Sequence, residues 1–148
     1  MKTDKLTDLI IDIPMKLCRN MNKKFVNTTL TEIEVNISQH HIMVLKLLDE
    51  NSSMCVSEIV EKLSIPKSQM TATIDKLVEM NYVDRYNDNS DRRKVMLKIT
   101  KNGKLITHKT IRLLNERIEK NIKQLKESEY SKLVDGIELL FKFCEKYK

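Results

Sequence analysis

Glycine and proline are nearly absent from this 148-residue chain, with two of each at Gly103, Gly136, Pro14 and Pro66. No glycine-rich phosphate loop can be built from them, and with Leu, Ile, Lys and Glu abundant the balance favours helices over strands. Cysteine is scarce too. Cys18, Cys55 and Cys144 are odd in number and form no CxxC pair, so neither a disulfide framework nor a zinc knuckle is suggested. A reducing, cytoplasmic setting fits that usage. Long apolar runs are also missing. Residues 9–13 are apolar apart from Asp12 and end at Pro14, which reads as neither a signal peptide nor a membrane span. No HExxH motif occurs and no nucleophile has a local base, so nothing points to an enzyme, a metal or a cofactor.

A chain of this length suits one domain that can bury a core without disulfide or metal support. Its formal charge of +6 is unevenly placed. Residues 1–91 carry 11 Lys/Arg against 14 Asp/Glu, a net of −3, while residues 92–126 carry 12 against only Glu116 and Glu119, a net of +10. A block of that kind is an electrostatic footprint for a polyanion, or the solvated face of a Lys-rich helix.

Apolar spacing supplies the elements. Leu6, Ile10, Ile13, Leu17 and Met21 predict a helix over residues 3–27 that Pro14 should kink or restart, followed by a polar loop over 28–37. Ser38 caps a helix running to residue 50, with Val44, Leu45 and Leu48 inward. A helix of barely two turns follows over 57–63. Pro66 then sits near the first position of another, in which Met70, Ile74 and Leu77 must face inward. Ser68, Ala72, Asp75 and Glu79 therefore point away, flanked by Gln69, Thr71 and Lys76. Asn81 stands where a left-handed residue should end that helix. Residues 82–86 and 94–99 read as strands joined by a polar turn, with Val95, Leu97 and Ile99 inward. Thr100 caps a long helix to residue 126, and Ser128 a last one with Leu133, Ile137, Leu140, Phe141 and Cys144 on one face.

The expected fold is mainly α with a small β hairpin: a winged helix-turn-helix flanked by terminal helices. Its second short helix can enter a major groove, and small side chains on its free face allow close approach. The hairpin places Arg92 and Arg93 at the tip of a rigid projection, suited to the narrow, electronegative minor groove. Asp91 beside them would repel phosphate, so its useful role is to accept hydrogen bonds from an arginine and hold it in one pose.

These residues resemble the MarR (multiple antibiotic resistance regulator) family of bacterial transcription factors. The matching residues are Ser57-Glu58-Ile59, Pro66-Lys67-Ser68-Gln69-Met70-Thr71, Ile74-Asp75-Lys76-Leu77, Tyr82-Val83-Asp84-Arg85, and Asp91-Arg92-Arg93 leading to Leu97-Lys98-Ile99-Thr100 and Gly103. The Asp-x-Arg wing followed by Thr-x-x-Gly is the specific part. The resemblance implies a homodimer, with residues 38–103 reading a pseudo-palindromic site in double-stranded DNA and residues 1–37 and 104–148 forming the dimerisation region. It also implies a repressor relieved by a small-molecule effector. Carried over, Lys67, Ser68, Gln69, Thr71, Ala72 and Lys76 face the major groove, Arg93 enters the minor groove steadied by Asp91, and Arg92 and Lys94 serve phosphates. Ala72 stands where Arg is common, so a base contact is missing there, and Asn81 replaces a frequent Gly.

Rival readings are a winged helix that binds protein instead of DNA, and a redox sensor acting through cysteine. Cys18 reads as core packing, and Cys55 sits at a helix start, where the dipole can lower a thiol pKa. His40, His41 and His108 read as polar packing rather than as metal ligands.

Overall fold

The computed structural model describes residues 2–146, with side chains from residue 5 onward. Helices dominate: α1 (Lys2–Met21), α2 (Asn27–Glu32), α3 (Gln39–Asn51), α4 (Val56–Leu63), α5 (Lys67–Glu79), α6 (Lys101–Ile122) and α7 (Glu127–Lys146). Three short strands join them, β1 (Ser53–Cys55), β2 (Val83–Asn87) and β3 (Val95–Ile99), in one antiparallel sheet of order β1-β3-β2. Met54 pairs with Leu97 on one side of β3, and Arg85 pairs with Leu97 on the other. The chain divides within α6 into a unit ending at Leu113 and a unit beginning at Leu114. Among the described residues no helix is long and apolar enough to cross a membrane.

The core of the first unit is built from the residues whose spacing pointed inward. Val44, Leu45 and Leu48 of α3, Ile59 of α4, Met70, Ile74 and Leu77 of α5, and Val83 and Leu97 of the sheet are all at most 2% exposed. Hydrophobic burial of this set, at about 1.5–3 kcal/mol per side chain, holds α3 to α5 and the sheet together. Several helix ends have a local cause. Ser38 N–H donates to His41 Nδ1 at 3.0 Å, closing the first turn of α3. Pro66 occupies the N-cap of α5, one residue earlier than its sequence suggested. At the other end Asn81 takes φ 57°, and the N–H groups of Asn81 and Tyr82 donate to the Val78 and Leu77 carbonyls, the double closure that a left-handed residue permits.

Four sequence expectations are corrected. First, α1 does not restart at Pro14 but runs through it as one helix, in which the Ile10 carbonyl lacks the N–H that another residue would have supplied. Second, residues 28–32 are helical rather than loop. A π turn (Asn22–Val26) links α1 to α2, and burial of Thr29 and Leu30 outweighs the weak helix propensity of the Asn- and Thr-rich stretch. The stop comes at Glu34, φ 57°, where the N–H groups of Glu34 and Val35 donate to the Thr31 and Leu30 carbonyls. Glutamate is an unusual occupant of that conformation, which is why the boundary was hidden. Third, β1 makes the sheet three-stranded; three residues are too few to show a period. Fourth, α6 ends at Ile122, and Lys126, not Ser128, caps α7, its N–H donating to Glu129 Oε2 at 2.8 Å.

The terminal helices differ from the core. No residue of α7 is buried, and Leu133, Ile137, Leu140 and Phe141 lie 36–67% exposed. In α1, Leu6, Leu9, Ile13 and Leu17 are 43–56% exposed. Cys18, expected in the core, is exposed together with that apolar face of α1, which the described residues leave open.

Candidate nucleic-acid interface

The α4–α5 pair and the β2–β3 hairpin are welded at their bases. Thr100 N–H donates to the Tyr82 carbonyl at 3.0 Å, the Thr100 hydroxyl donates to the Asn81 carbonyl at 2.8 Å, and Gly103 N–H donates to Thr100 Oγ1 at 2.9 Å. The Tyr82 carbonyl lies only 2.1 Å from where a Cβ on Gly103 would stand. Thr-x-x-Gly is therefore a joint: the threonine caps α6, and the glycine lets that helix seat on the end of α5 and the start of β2.

On α5, Lys67, Ser68, Gln69, Thr71 and Ala72 are exposed, and Lys76 is half-buried. Thr73, unremarked in the sequence, joins the inward face at 4% exposure, its hydroxyl donating to the Gln69 carbonyl at 2.9 Å. The Thr71 hydroxyl donates to the Lys67 carbonyl at 3.1 Å, leaving its oxygen lone pairs outward. Gln69 Nε2 lies 2.8 Å from His40 Nδ1, at the start of α3. Asp75, which would oppose a phosphate, is paired with Arg85 Nη2 of β2. Both are exposed, so the pair is worth about 0–1 kcal/mol, but it offsets a negative charge on the outer face of α5. Sequence reading missed this role for Arg85, since nothing local links positions 75 and 85.

The wing is organised by two aspartates. Asp88 Oδ1 accepts from the N–H groups of Ser90 (2.8 Å) and Asp91 (3.0 Å) and from the Ser90 hydroxyl. Asp88 N–H donates to the Lys94 carbonyl and Lys94 N–H to the Asp91 carbonyl, which closes the loop. The Ser90 hydroxyl and then the two backbone N–H groups hold the Asp88 carboxyl below its ordinary value. Asp91 Oδ1 accepts from Arg93 N–H and Nε, both at 3.1 Å, and Arg93 first of all keeps the Asp91 carboxyl low. Arg93 is braced at its root yet 92% exposed. Arg92 and Lys94 beside it are exposed cations. Asp88 was read only as a turn residue; its signal was the preference of Asp for bonding backbone two residues on.

A groove of about 480 Å³ runs between these two groups, bordered by Lys67 and Thr71 of α5, Arg85, and Arg93 and Lys94 of the wing, with Val56, Val60 and Ile74 in its lining. The structure thus brings Lys67, Thr71, Arg93 and Lys94 to one groove. Ser68, Gln69, Ala72 and Lys76 lie along α5 outside that lining, as do Asp91 and Arg92. Cys55 also borders the groove, its Sγ 3.1 Å from Ser57 Oγ and its N–H donating to Glu58 Oε2.

The histidines diverge. His40 meets Gln69, His41 meets Ser38, and His108 Nε2 lies 2.7 Å from Asp49 Oδ2, with Lys104 at 3.8 Å from the other oxygen. Among the described residues no three His, Cys, Asp or Glu side chains converge as a metal site would require.

Against known proteins, residues 37–95 match the family model described as MarR family. The chain is 26% identical over 116 residues to the helix-turn-helix-type transcriptional regulator YfiV of Bacillus subtilis, covering 78% of this chain and 72% of that protein. It is 28% identical over 92 residues to the helix-turn-helix-type transcriptional regulator PapX of Escherichia coli, covering 60% of this chain and 56% of that protein, so it spans little more than half of that relative. Among solved structures, Streptococcus pneumoniae FabT in complex with DNA shares the fold, with a TM-score of 0.73 at 24% identity over 92% of this chain and 97% of that one.

Proposed function

We propose that this chain, a member of the MarR family by the match of residues 37–95, binds duplex DNA sequence-specifically, as a homodimer that represses from a pseudo-palindromic operator. One observation carries the reading: Lys67 and Thr71 on the exposed side of α5 and the Asp91-braced Arg93 border the same groove, as one duplex seated on both would require. In this reading Lys67, Ser68, Gln69, Thr71, Ala72 and Lys76 face the major groove and Arg93 the minor groove, with Arg92 and Lys94 on phosphates. That a protein of the same fold is solved in complex with DNA supports duplex DNA as the ligand. A regulator of this kind is not an enzyme.

Residues 38–103 are the DNA-reading part, and residues 1–37 and 104–148 the dimerisation region. The exposed apolar faces of α1 and α7 support this, because a monomer rarely leaves such stripes in water and a second copy supplies the same surface in return. A small-molecule effector relieves the repression; the groove, with cations on its border and valines within, is where a ligand would compete with DNA.

Fluorescence anisotropy on duplex from the protein's own upstream region tests the reading. Affinity should fall steeply with salt, because each phosphate contact releases counterions at a log–log slope of about −0.9. Arg93→Ala should weaken binding by at least about tenfold, whereas Lys94→Ala, which removes a phosphate contact, should flatten the salt slope by roughly 2 per dimer, one contact per protomer. Equal binding by Arg93→Ala and wild type would remove the wing from the interface, and salt-insensitive binding would remove DNA.

A further inference from the structure

Gln69 and His40 are 29 residues apart, on the first turns of α5 and α3, and their side chains meet at 2.8 Å through Gln69 Nε2 and His40 Nδ1. With the amide nitrogen facing it, Nδ1 must accept, which calls for the His40 tautomer whose proton sits on Nε2. The neighbouring ring is used differently. His41 is turned into the protein, its Nδ1 receiving the Ser38 N–H, while Gln69 is exposed and His40 half-exposed at the outer edge between the two helices. Gln69 is therefore an exposed long side chain on the outer face of α5, with one of its two amide hydrogens already committed.

We propose that His40 is a positioning residue for base reading, and that it fixes the Gln69 carboxamide in the orientation that selects adenine. The inference rests on the proposed entry of α5 into the major groove. Glutamine reads adenine by accepting from N6–H with Oε1 and donating to N7 with Nε2. That pair uses the oxygen and the amide hydrogen on the same side of the group. The other hydrogen points away from the base, and it is the one left for His40. Flipping the amide would set Oε1 against Nδ1, a hydrogen bond only if the ring proton also moved from Nε2 to Nδ1. His40 thus ties the amide orientation to its own tautomer before DNA arrives, and makes no base contact itself. The free side chain of a glutamine without such a partner would sample both orientations and discriminate less between bases.

The test is selection from a random duplex pool by the full chain, followed by affinities for single base-pair variants of the selected site. Wild type should select adenine at one position per half-site, and Gln69→Ala should flatten that position. His40→Leu, which removes the acceptor, should reduce the adenine preference there by about two- to tenfold, the range of one net hydrogen bond, and leave the other positions unchanged. His40→Asp should restore it, because its side-chain oxygens only accept, with weaker binding overall from the added negative charge. Circular dichroism verifies folding of each variant, and His40→Ala replaces His40→Leu if the latter does not fold. Uniform weakening at all positions by His40→Leu, an unchanged preference, or no recovery of the preference in His40→Asp would overturn the positioning role while leaving DNA binding intact. Selection of no sequence by wild type would overturn the DNA-binding reading, and this inference with it.

Discussion

Gly103→Ala isolates the joint between the wing and α6. A Cβ at this position would lie 2.1 Å from the Tyr82 carbonyl oxygen and 2.8 Å from Ile99 Cγ1. The nearer obstacle is backbone, so it cannot swing aside like the end of a flexible side chain; helix and strand must part by more than about 1 Å to reach ordinary contact. The same carbonyl accepts the Thr100 N–H at 3.0 Å, and parting strains that bond. Overpacking costs about 1–3 kcal/mol, a weakened hydrogen bond about 0.5–1.5 kcal/mol, and the gain in helix propensity from Gly to Ala returns about 1 kcal/mol. The expected outcome is destabilisation by about 2 kcal/mol. Urea unfolding followed by far-UV circular dichroism, at matched protein concentration, measures it. Asn102→Ala, one position away and exposed, is the control. It should be neutral or stabilise by up to about 0.7 kcal/mol through propensity alone. DNA affinity should also fall in Gly103→Ala, because the wing hangs from this joint. A variant as stable as wild type would refute the argument, since it would mean that α6 does not seat on Tyr82 in solution.

Other expectations concern single features. Burial, then the nearby charges of Lys76 and His40, push His41 below its ordinary 6.5. The unfolded chain therefore takes up a proton first as pH falls, so stability contributed by His41 is present above about pH 6.5 and declines as pH drops towards the lowered value. Thermal unfolding between about pH 7.5 and 5 should show a smaller decline in His41→Asn than in wild type; parallel profiles would exclude His41 as the source. At φ 57°, Asn81→Gly should stabilise by a few tenths to about 1 kcal/mol, and Asn81→Val should destabilise by about 1–2 kcal/mol, read from shifts in urea midpoint. Ile137→Lys, on the exposed apolar face of α7, should turn a dimer into a monomer in sedimentation velocity with little change in helix content. A dimer that persists would place the interface elsewhere.

What the sequence disclosed depended on how far apart the interacting residues are. The inward faces of α3 and α5, the left-handed Asn81 and the Thr100 cap are set by neighbours within a turn or two, and each was readable. So was the Asp91–Arg93 brace, whose partners are two residues apart. The boundary at Glu34 was local but hidden, because glutamate there is carried by burial of Thr29 and Leu30 rather than by its own preference. β1 was hidden for a different reason: a strand of three residues exists only because β3 is there to pair with it.

The same criterion divides the candidate interface. Position along α5 followed from helical phase, but what its side chains do there was settled by partners far away in sequence. Asp75 is neutralised by Arg85, ten residues on, and Gln69 is held by His40, 29 residues back. The two contacts act in opposite senses on one face. One subdues a charge that would repel phosphate from any sequence, and so bears on affinity; the other orients an uncharged amide, and so bears on which base is chosen. Breaking the first with Arg85→Ala should therefore weaken all duplexes alike and leave base preference intact, whereas breaking the second should change preference at one position. That contrast follows from the chemistry of the two pairs, and a helical wheel drawn from the sequence would have treated Asp75 and Gln69 as equivalent outward positions.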